Sequence, residues 1–405
     1  MKVPRVLAIG SSLLLVFGVI MTFNWMISRS LVYKMSGAAH RKHADLKNAI
    51  KRTSKPHPKR KKTTVQGKTR KLKQPVLKKQ PRVTFDKLNS KNESGKSYLS
   101  LLDILKAKNQ PKHGKNIFFL QTTGVQKEET LQLIKLTARE ACAIESAALH
   151  NPGLTVFVLF AGATHRMYSG NPWIRSLNFY KNIRLRRLNL LRYAAGTPIE
   201  KWIKLGKIYK SKYIFPHASD LLRYLTLYKY GGIYLDLDVV VLRSLEKMPP
   251  NFTGAETSKS LACGVMKMSS TGEGHQIAAL CLQDLQANFN ANNWGSIGPA
   301  VITRVAKKTC NTTRIQAMID KPSHCKGLTV FDAKAFYAIP WRQWMDFFRS
   351  SSLNKTLKAT SNSYVIHVWN KFSKFQRLRA REITAYTKYA RTNCPRAFAA
   401  AGDFF

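Results

Sequence analysis

Acidic side chains are scarce in this sequence of 405 residues, which holds 21 Asp and Glu against 68 Lys and Arg and carries a formal charge of +47. Such an imbalance demands an acidic partner or surface. Apolar residues are not scarce, because 44% of the chain is hydrophobic and 10% is aromatic. That content excludes disorder throughout, since only a chain of low hydrophobicity cannot offset its entropy by burial.

Internal repeats and CxxC cysteine pairs are also missing. Without a period of about 20 to 50 residues there is no sign of a solenoid or propeller. No linker rich in Pro or Ser interrupts the sequence after residue 115. These absences favour one large domain with appendages.

The amino-terminal region is almost uninterrupted apolar sequence from Val6 to Ile27. Roughly 20 residues suffice for a helix to cross a bilayer, so we predict a cytosolic tail over residues 1–5 and a transmembrane signal anchor over residues 6–27. A cleaved signal peptide is the alternative, but this run exceeds the roughly 7 to 15 apolar residues of a secretory core.

The orientation of the chain across the membrane is predicted from several weaker signals. Lys2 and Arg5 favour a cytosolic amino terminus, whereas Arg29 and Lys34 oppose it. Six cysteines and four glycosylation sequons favour a lumen for the rest of the chain. The acceptor asparagines are Asn92, Asn251, Asn311 and Asn354.

Residues 28–115 are rich in Lys, Arg and Pro and poor in large apolar side chains. This composition predicts a disordered, self-repelling basic stem that holds a luminal domain away from the bilayer. A nucleic-acid-binding arm is the alternative, but it needs a cytosolic or nuclear location and the segment lacks aromatics for base stacking. We therefore expect no nucleic-acid partner.

From Asn116 the sequence reads as a folded domain that extends to residue 405. Two short apolar runs, Ile117 to Leu120 and Leu154 to Phe160, flank a helical stretch from Glu128 to about Leu149. Apolar runs separated by helices are typical of buried parallel strands. We predict an α/β domain built from βα units with buried parallel strands.

The most informative segment reads as helix, stop and strand. Ser219 is a plausible helix N-cap, Gly231 and Gly232 supply the stop, and Ile233 to Leu242 has the composition of a strand. Near the start of this helix, Asp220 and Arg223 are three residues apart and share a face.

Asp236 and Asp238 follow in this segment, and in an extended chain both point to the same side. Two adjacent carboxylates in apolar surroundings are costly unless a cation neutralises them, and oxygen ligands suit Mn²⁺ or Mg²⁺. Such a cation can bridge a diphosphate, as an enzyme that uses a sugar nucleotide requires. The alternative is an exposed strand end with two ordinary acids.

A second candidate region runs from Tyr364 to Lys371. A lone histidine in an apolar strand is usually a core residue, but His367 precedes Trp369, Asn370 and Lys371, which could stack or donate to phosphate. We interpret His367 as a metal ligand. Aromatic residues around Trp294 and Trp341 suit either sugar faces or core packing.

The six cysteines allow 15 pairings. Cys310 and Cys325 are close in sequence, a loop-like Pro322 lies between them and a sequon adjoins them. We predict that these two cysteines form a disulfide.

Together these residues resemble the α1,4-glycosyltransferase family of Golgi type II membrane enzymes, which includes lactosylceramide galactosyltransferases and N-acetylglucosaminyltransferases. The likeness runs from residue 116 through Glu145, the 220–238 block and the 367–371 block to Cys394. Residues 193–198 and 394–398 look most like arthropod members.

The resemblance implies an α/β fold of GT-A type with a mixed, mostly parallel sheet. It also implies a retaining transfer from a UDP-sugar to a 4-hydroxyl of a glycan. Asp238 matches a direct Mn²⁺ ligand, with Mg²⁺ as the other candidate, and Asp236 matches a contact to ribose, donor sugar or metal-bound water. Asp220 and Arg223 match a pair that holds the donor sugar.

By the same resemblance, His367 would be the third metal ligand, and Lys371 or Trp369 would contact the diphosphate. The implied donor is UDP-Gal or UDP-GalNAc and the implied acceptor is a glycolipid. An α1,4-N-acetylglucosaminyltransferase acting on protein-linked glycans is the alternative. A membrane-tethered polybasic binding protein is the alternative of another class, but it would not need Asp236, Asp238 and His367.

Overall fold

The structure is a computed structural model, and it describes residues 89–91, 97–126, 132–162, 164–167 and 171–405. All belong to one compact unit, Leu77–Phe405. The predicted tail and anchor, most of the predicted stem and the sequon at Asn92 lie outside the described residues. Within the described part of the chain, no helix combines the length and apolar character needed to cross a membrane.

The strands of the described residues are short and mostly buried. They are β1 (Asn89–Lys91), β2 (Ser97–Ser100), β3 (Asn116–Gln121), β4 (Gln132–Leu133), β5 (Thr155–Ala161), β6 (Thr164–Met167), β7 (Ile183–Leu188), β8 (Gly232–Leu235), β9 (Val239–Val241), β10 (Phe252–Ala255), β11 (Leu261–Met268), β12 (Thr329–Phe331) and β13 (Val365–His367).

The α-helices of the same residues are α1 (Ala138–His150), α2 (Pro172–Leu177), α3 (Leu190–Ala194), α4 (Glu200–Lys204), α5 (Ile214–Tyr230), α6 (Gly272–Asn288), α7 (Pro299–Thr309), α8 (Ile315–Asp320), α9 (Ala333–Phe336), α10 (Leu353–Ala359), α11 (Asn370–Ser373), α12 (Ala385–Asn393) and α13 (Pro395–Ala400). Short 3₁₀ turns occupy Lys207–Lys210, Pro322–Cys325, Trp341–Phe347 and Ser350–Ser352.

A seven-stranded sheet forms the centre, in the order β12-β10-β11-β8-β3-β5-β7. β3 pairs in parallel with β5 and β8, β5 with β7, and β10 with β12. β11 runs antiparallel to its neighbours β8 and β10. This arrangement confirms the predicted α/β domain with a mixed, mostly parallel sheet.

The central strands are buried on both faces. Along β3, Ile117 and Phe119 belong to one hydrophobic cluster, whereas Phe118 and Leu120 belong to another. Because side chains alternate along a strand, the sheet separates the core into two layers. The continuous apolar run that predicted β3 is the consequence of this double coverage.

Two smaller sheets complete the described architecture. One has the order β1-β2-β6-β4, and the other pairs β9 with β13 in antiparallel register. In the second, His367 lies opposite Val239. This pairing brings a residue near the end of the sequence beside the Asp236 to Asp238 segment.

The predicted boundary at residue 116 is wrong, because packed structure begins earlier. Leu101 and Ile104 are buried, and Asp103 forms a parallel β-bridge with Arg187 of β7. Leu101 to Leu105 is a short apolar run whose burial outweighs the basic composition around it.

Two predicted helix starts are also corrected. The helix predicted from Glu128 begins at Ala138, after a capping box formed by Thr137 and Glu140. Ser219 lies inside α5 rather than at its N-cap. The predicted stop is confirmed, because Gly231 ends α5 with a φ of 59°.

Candidate active site

The two aspartates lie in a turn between sheets, so the predicted continuous strand is broken there. β8 ends at Leu235 and β9 begins at Val239, in a different sheet. The backbone N–H of Asp236 donates to the Gly264 carbonyl at 2.8 Å, which holds the first aspartate against β11. The Asn370 backbone N–H donates to Asp238 Oδ2 at 2.7 Å. The backbone of Asp236 and the carboxylate of Asp238 are therefore held by backbone groups of other elements.

His367 meets both carboxylates at the end of β13. Its Nε2 lies 3.2 Å from Asp238 Oδ1 and 3.6 Å from Asp236 Oδ2. Ligand atoms from these three residues lie within 4.8 Å of one another. Two carboxylates and one imidazole form a donor set that fits a divalent cation such as Mn²⁺.

The electrostatics of this cluster favour positive charge. Burial raises the pKa of Asp236, but Arg223 and His367 outweigh burial and bring the pKa down to about 2. Burial raises the pKa of Asp238 despite the opposing charge of His367. Burial lowers the pKa of His367, but the two aspartates raise it above its usual value. The cluster therefore attracts a cation, either a proton on His367 or a metal ion.

Arg223 is buried beside the cluster and its donors are all directed at protein groups. Its Nε donates to the Ser219 carbonyl, and one terminal nitrogen donates to the Cys263 carbonyl at 2.9 Å and lies 3.3 Å from Asp236 Oδ1. The other terminal nitrogen contacts Ser219 Oγ and Asp220 Oδ1 at 3.1 and 2.9 Å. The guanidinium therefore joins Asp220 to Asp236 and leaves no N–H for a sugar hydroxyl.

Asp220 faces this guanidinium from the same helix. Burial raises the pKa of its carboxyl to about 6, and Arg223 opposes this rise. A Cβ added at Gly298 would lie 2.5 Å from Asp220 Oδ2, so the second carboxylate oxygen rests against the backbone that leads into α7. The two side chains form a buried i,i+3 ion pair.

Comparison with known proteins adds to this geometry. Residues 137–256 match the model of the glycosyltransferase sugar-binding region containing the DXD motif, and residues 270–401 match that of the alpha 1,4-glycosyltransferase conserved region. The lactosylceramide 4-alpha-galactosyltransferase of Mus musculus is 33% identical over 282 residues, which cover 69% of this chain and 74% of that protein. The chain belongs to the α1,4-glycosyltransferase family. It is a hexosyltransferase.

Two human proteins and one solved structure are also similar to this chain. The human lactosylceramide 4-alpha-galactosyltransferase is 30% identical, over 70% of this chain and 78% of that protein. The human alpha-1,4-N-acetylglucosaminyltransferase is 25% identical, over 71% of this chain and 80% of that protein. A solved galactosyltransferase, LgtC in complex with donor and acceptor sugar analogs, covers 70% of this chain and 95% of its own at 15% identity, with a TM-score of 0.34.

In this α1,4-glycosyltransferase family member, Trp369 and Lys371 flank the cluster differently. The indole N–H of Trp369 donates to the Ile339 carbonyl at 2.8 Å, and its ring centroid lies 4.3 Å from that of His367. Lys371 is exposed, and its Nζ lies 3.5 Å from the centre of the Trp294 ring. Trp369 therefore braces His367, whereas the ammonium of Lys371 rests on the Trp294 ring at the surface.

Residues without a sequence motif complete the site. Tyr234 donates its hydroxyl to Asp236 Oδ1 at 2.6 Å. A Cβ at Gly264 would lie 2.7 Å from Asp236 Oδ2 and 3.2 Å from His367 Nε2, so the cluster occupies the space that a side chain would fill. A glycine inside the apolar strand β11 was the available signal, since interior glycines mark close approaches.

The aromatic segments fall into two groups. Phe336 and Tyr337 are buried in the core, with the Tyr337 ring 5.6 Å from that of His367. Trp294 is exposed beside Lys371.

The structure forms the predicted Cys310–Cys325 disulfide and a second one between Cys142 and Cys394. The second pair is separated by 252 residues, and sequence reasoning missed it. The remaining cysteines, Cys263 and Cys281, are free and buried.

The sequons differ in accessibility. Asn311 and Asn354 are exposed. Asn251 is buried, its Oδ1 accepts from the backbone and hydroxyl of Ser269, and its Nδ2 donates to the Gly327 carbonyl. A glycan on that amide would have no room, so the prediction of Asn251 as a glycosylation site is wrong.

Proposed function

We propose that this hexosyltransferase moves galactose or N-acetylgalactosamine from a UDP-sugar, in α1,4 linkage and with retention, onto a glycolipid glycan. The relatives named lactosylceramide 4-alpha-galactosyltransferase support the acceptor class and linkage. The observation that carries the proposal is the convergence of Asp236, Asp238 and His367 within 4.8 Å.

The proposed cofactor is Mn²⁺, held by Asp238, His367 and Asp236. A divalent cation at this position supplies charge neutralisation for the diphosphate of the leaving UDP. The chain's own contribution is to fix the ligands: Asn370 orients Asp238 through its backbone N–H, and Arg223 together with Tyr234 orients Asp236.

Lys371 is the proposed diphosphate contact, because its ammonium is exposed next to the residue that holds Asp238. Preorganised positive charge at the leaving group lowers the barrier where negative charge grows. Trp369 is proposed to act by holding His367 rather than through the phosphate. Arg223 becomes a positioning residue, and Asp220 remains the proposed contact to the donor sugar.

The proposed stereochemical course is front-face transfer, in which a phosphate oxygen of the donor accepts the acceptor proton. A double displacement would need a carboxylate nucleophile, and Asp220 is the candidate. Its ion pair with Arg223 and its packing against Gly298 support an anchored carboxylate instead of a mobile nucleophile.

The same site could serve an α1,4-N-acetylglucosaminyltransferase, and the 25% identical human relative of that name keeps this second candidate open.

The proposed setting is a Golgi membrane, crossed once by residues 6–27, with a cytosolic tail at residues 1–5 and a luminal stem from residue 28. The luminal catalytic domain then begins before residue 101 and extends to residue 405.

The test is transfer by the full-length protein in detergent micelles, with Mn²⁺ and either UDP-Gal, UDP-GalNAc or UDP-GlcNAc. Neutral glycolipids serve as acceptors, and NMR of the product gives the anomer and the linkage. An α1,4-linked galactose or N-acetylgalactosamine supports the proposal. Transfer of N-acetylglucosamine alone selects the second candidate, and a β-linked product overturns retention.

A further inference from the structure

The segment that follows the proposed metal site exposes large apolar side chains to solvent. Phe375 is 84% exposed and Ile383 is 63% exposed, while Phe372 and Phe404 are also exposed. Phe404 comes from the end of the chain and meets this segment in space, because Arg377 Cζ lies 4.3 Å from its ring centre and Arg379 forms a β-bridge with it. Exposed apolar side chains gathered in this way mark an interaction surface. We call these four residues and the basic residues between them the aromatic-basic patch.

The basic members of the patch are exposed and alternate with the apolar ones. They are Lys374, Arg377, Arg379 and Arg381. Lys374 Nζ lies 4.8 Å from the Phe375 ring centre, and Arg377 Cζ lies 4.3 Å from that of Phe404. Between residues 370 and 381 the sequence contains no acid.

The patch is held in a fixed shape by the buried side of the domain. Arg139 donates to the carbonyls of Ser373 at 3.0 Å, Gln376 at 2.5 Å and Phe405 at 2.8 Å. Phe372 stacks on Trp341 with ring centres 5.2 Å apart. The exposed side chains are therefore presented by an anchored backbone, so their exposure is a property of the fold.

We propose that the aromatic-basic patch docks the catalytic domain directly on a lipid bilayer surface. Apolar rings with cationic side chains around them suit the interface, where rings enter the acyl boundary and Lys and Arg face the headgroups. The cations favour anionic headgroups. The patch starts next to Asn370, whose N–H holds Asp238, so docking would bring the site to the membrane surface where a lipid-linked acceptor lies.

The test uses the full-length protein reconstituted in phosphatidylcholine liposomes, with and without phosphatidylserine. Phe375→Cys is labelled with the fluorophore NBD, since Cys263 and Cys281 are buried and the other cysteines are paired. Leu205→Cys is the matched control, because Leu205 is apolar, 60% exposed and outside the patch. Quenching by spin-labelled lipid should be several-fold stronger at position 375 and should weaken without phosphatidylserine.

Equal lipid quenching at the two positions would overturn the proposal. Protection of position 375 from aqueous iodide without lipid quenching would also overturn it, because it would indicate a protein partner. A second measurement rests on the proposed function: Phe375→Ser should lower transfer to a liposome-embedded glycolipid about tenfold and leave transfer to the soluble glycan unchanged, whereas Leu205→Ser changes neither. If the wild type glycosylates neither acceptor, the proposed function fails while the quenching result still decides docking.

Discussion

At the scale of single residues, the site depends on which side chain satisfies which charge. The DxD spacing predicted Asp236 and Asp238 as metal ligands, whereas His367 was joined to them by its polar and aromatic neighbours and by the family resemblance. The occupied donors of Arg223 could not be predicted, because they depend on Cys263 and Asp236, which reach it only through the tertiary fold. The sequence identifies the chemical groups, and the packing decides which of them a substrate can touch.

Asp238→Asn tests the proposed metal site directly. It removes a negative charge from the donor set while keeping the side-chain shape, so Mn²⁺-dependent UDP binding measured by calorimetry should weaken by at least about 100-fold. Asp346→Asn is a matched control, since Asp346 forms an ion pair with Lys355 and is not one of the proposed metal ligands. Unchanged binding in Asp238→Asn, or full wild-type activity in excess chelator, would contradict the role.

Gly264→Ala tests whether the Asp236, Asp238 and His367 cluster needs the space left by the missing side chain of Gly264. The added methyl would lie 2.7 Å from Asp236 Oδ2, so the carboxylate must move. We expect Mn²⁺ affinity to fall about 10- to 100-fold, as for other changes that displace a metal ligand. Gly295→Ala is the control, because a Cβ there meets nothing within 4 Å. Equal Mn²⁺ affinity in both variants would show that the cluster tolerates the shift.

Asp220 and Arg223 are expected to separate a donor-sugar role from a positioning role. Asp220→Asn should lower kcat about 100-fold with Mn²⁺-dependent UDP affinity retained, because a displaced donor sugar reacts slowly. Arg223→Ala should also lower the melting temperature, because breaking a buried ion pair costs about 3–5 kcal/mol. Arg223→Lys keeps the charge and should melt closer to wild type. Normal turnover in Asp220→Asn would reject the donor-site assignment.

At the scale of secondary-structure elements, α1 ties the carboxyl terminus to the sheet. Its Glu145 accepts from the backbone N–H groups of Arg396 and Ala397, and its Ser146 hydroxyl accepts from Val241 in β9. The helix itself was predictable from its apolar period, but its start required the Thr137 cap. Its partners could not be predicted, because they come from distant parts of the chain.

The Cys142–Cys394 disulfide is expected to make this connection between α1 and the carboxyl terminus contribute measurably to the free energy of unfolding. A cross-link that spans 252 residues restricts the unfolded chain more than one that spans 15, for which the chain-entropy model gives about 3 kcal/mol. Replacing Cys142 and Cys394 with Ala should therefore lower the melting temperature more than replacing Cys310 and Cys325. Calorimetric scans of both double variants make the comparison, and peptide mapping without reductant first verifies the pairing. The opposite order would contradict this account.

At the scale of the whole molecule, the strand pattern was predictable because strands covered on both faces leave short but continuous apolar runs. The domain start was not, because Leu101 and Ile104 sit in a basic context that resembles the stem. The same limit applies to the sequons: Asn251 and Asn311 look alike in sequence, and only the fold shows that the Asn251 amide is bonded on both sides.

Mapping the asparagines that carry glycans tests both the luminal orientation of the domain and the accessibility of each sequon in the fold. If the domain is luminal, Asn311 and Asn354 should carry glycans because their side chains are exposed, and Asn251 should carry none. Asn311→Gln and Asn354→Gln should each remove one step from the gel shift produced by an N-glycosidase, whereas the shift should persist in Asn251→Gln. That last variant should also melt earlier, since the longer side chain disturbs the bonds to Ser269 and Gly327. An unglycosylated chain whose domain is digested by protease outside sealed microsomes would contradict the orientation, while a glycan on Asn251 would contradict the packing around that amide.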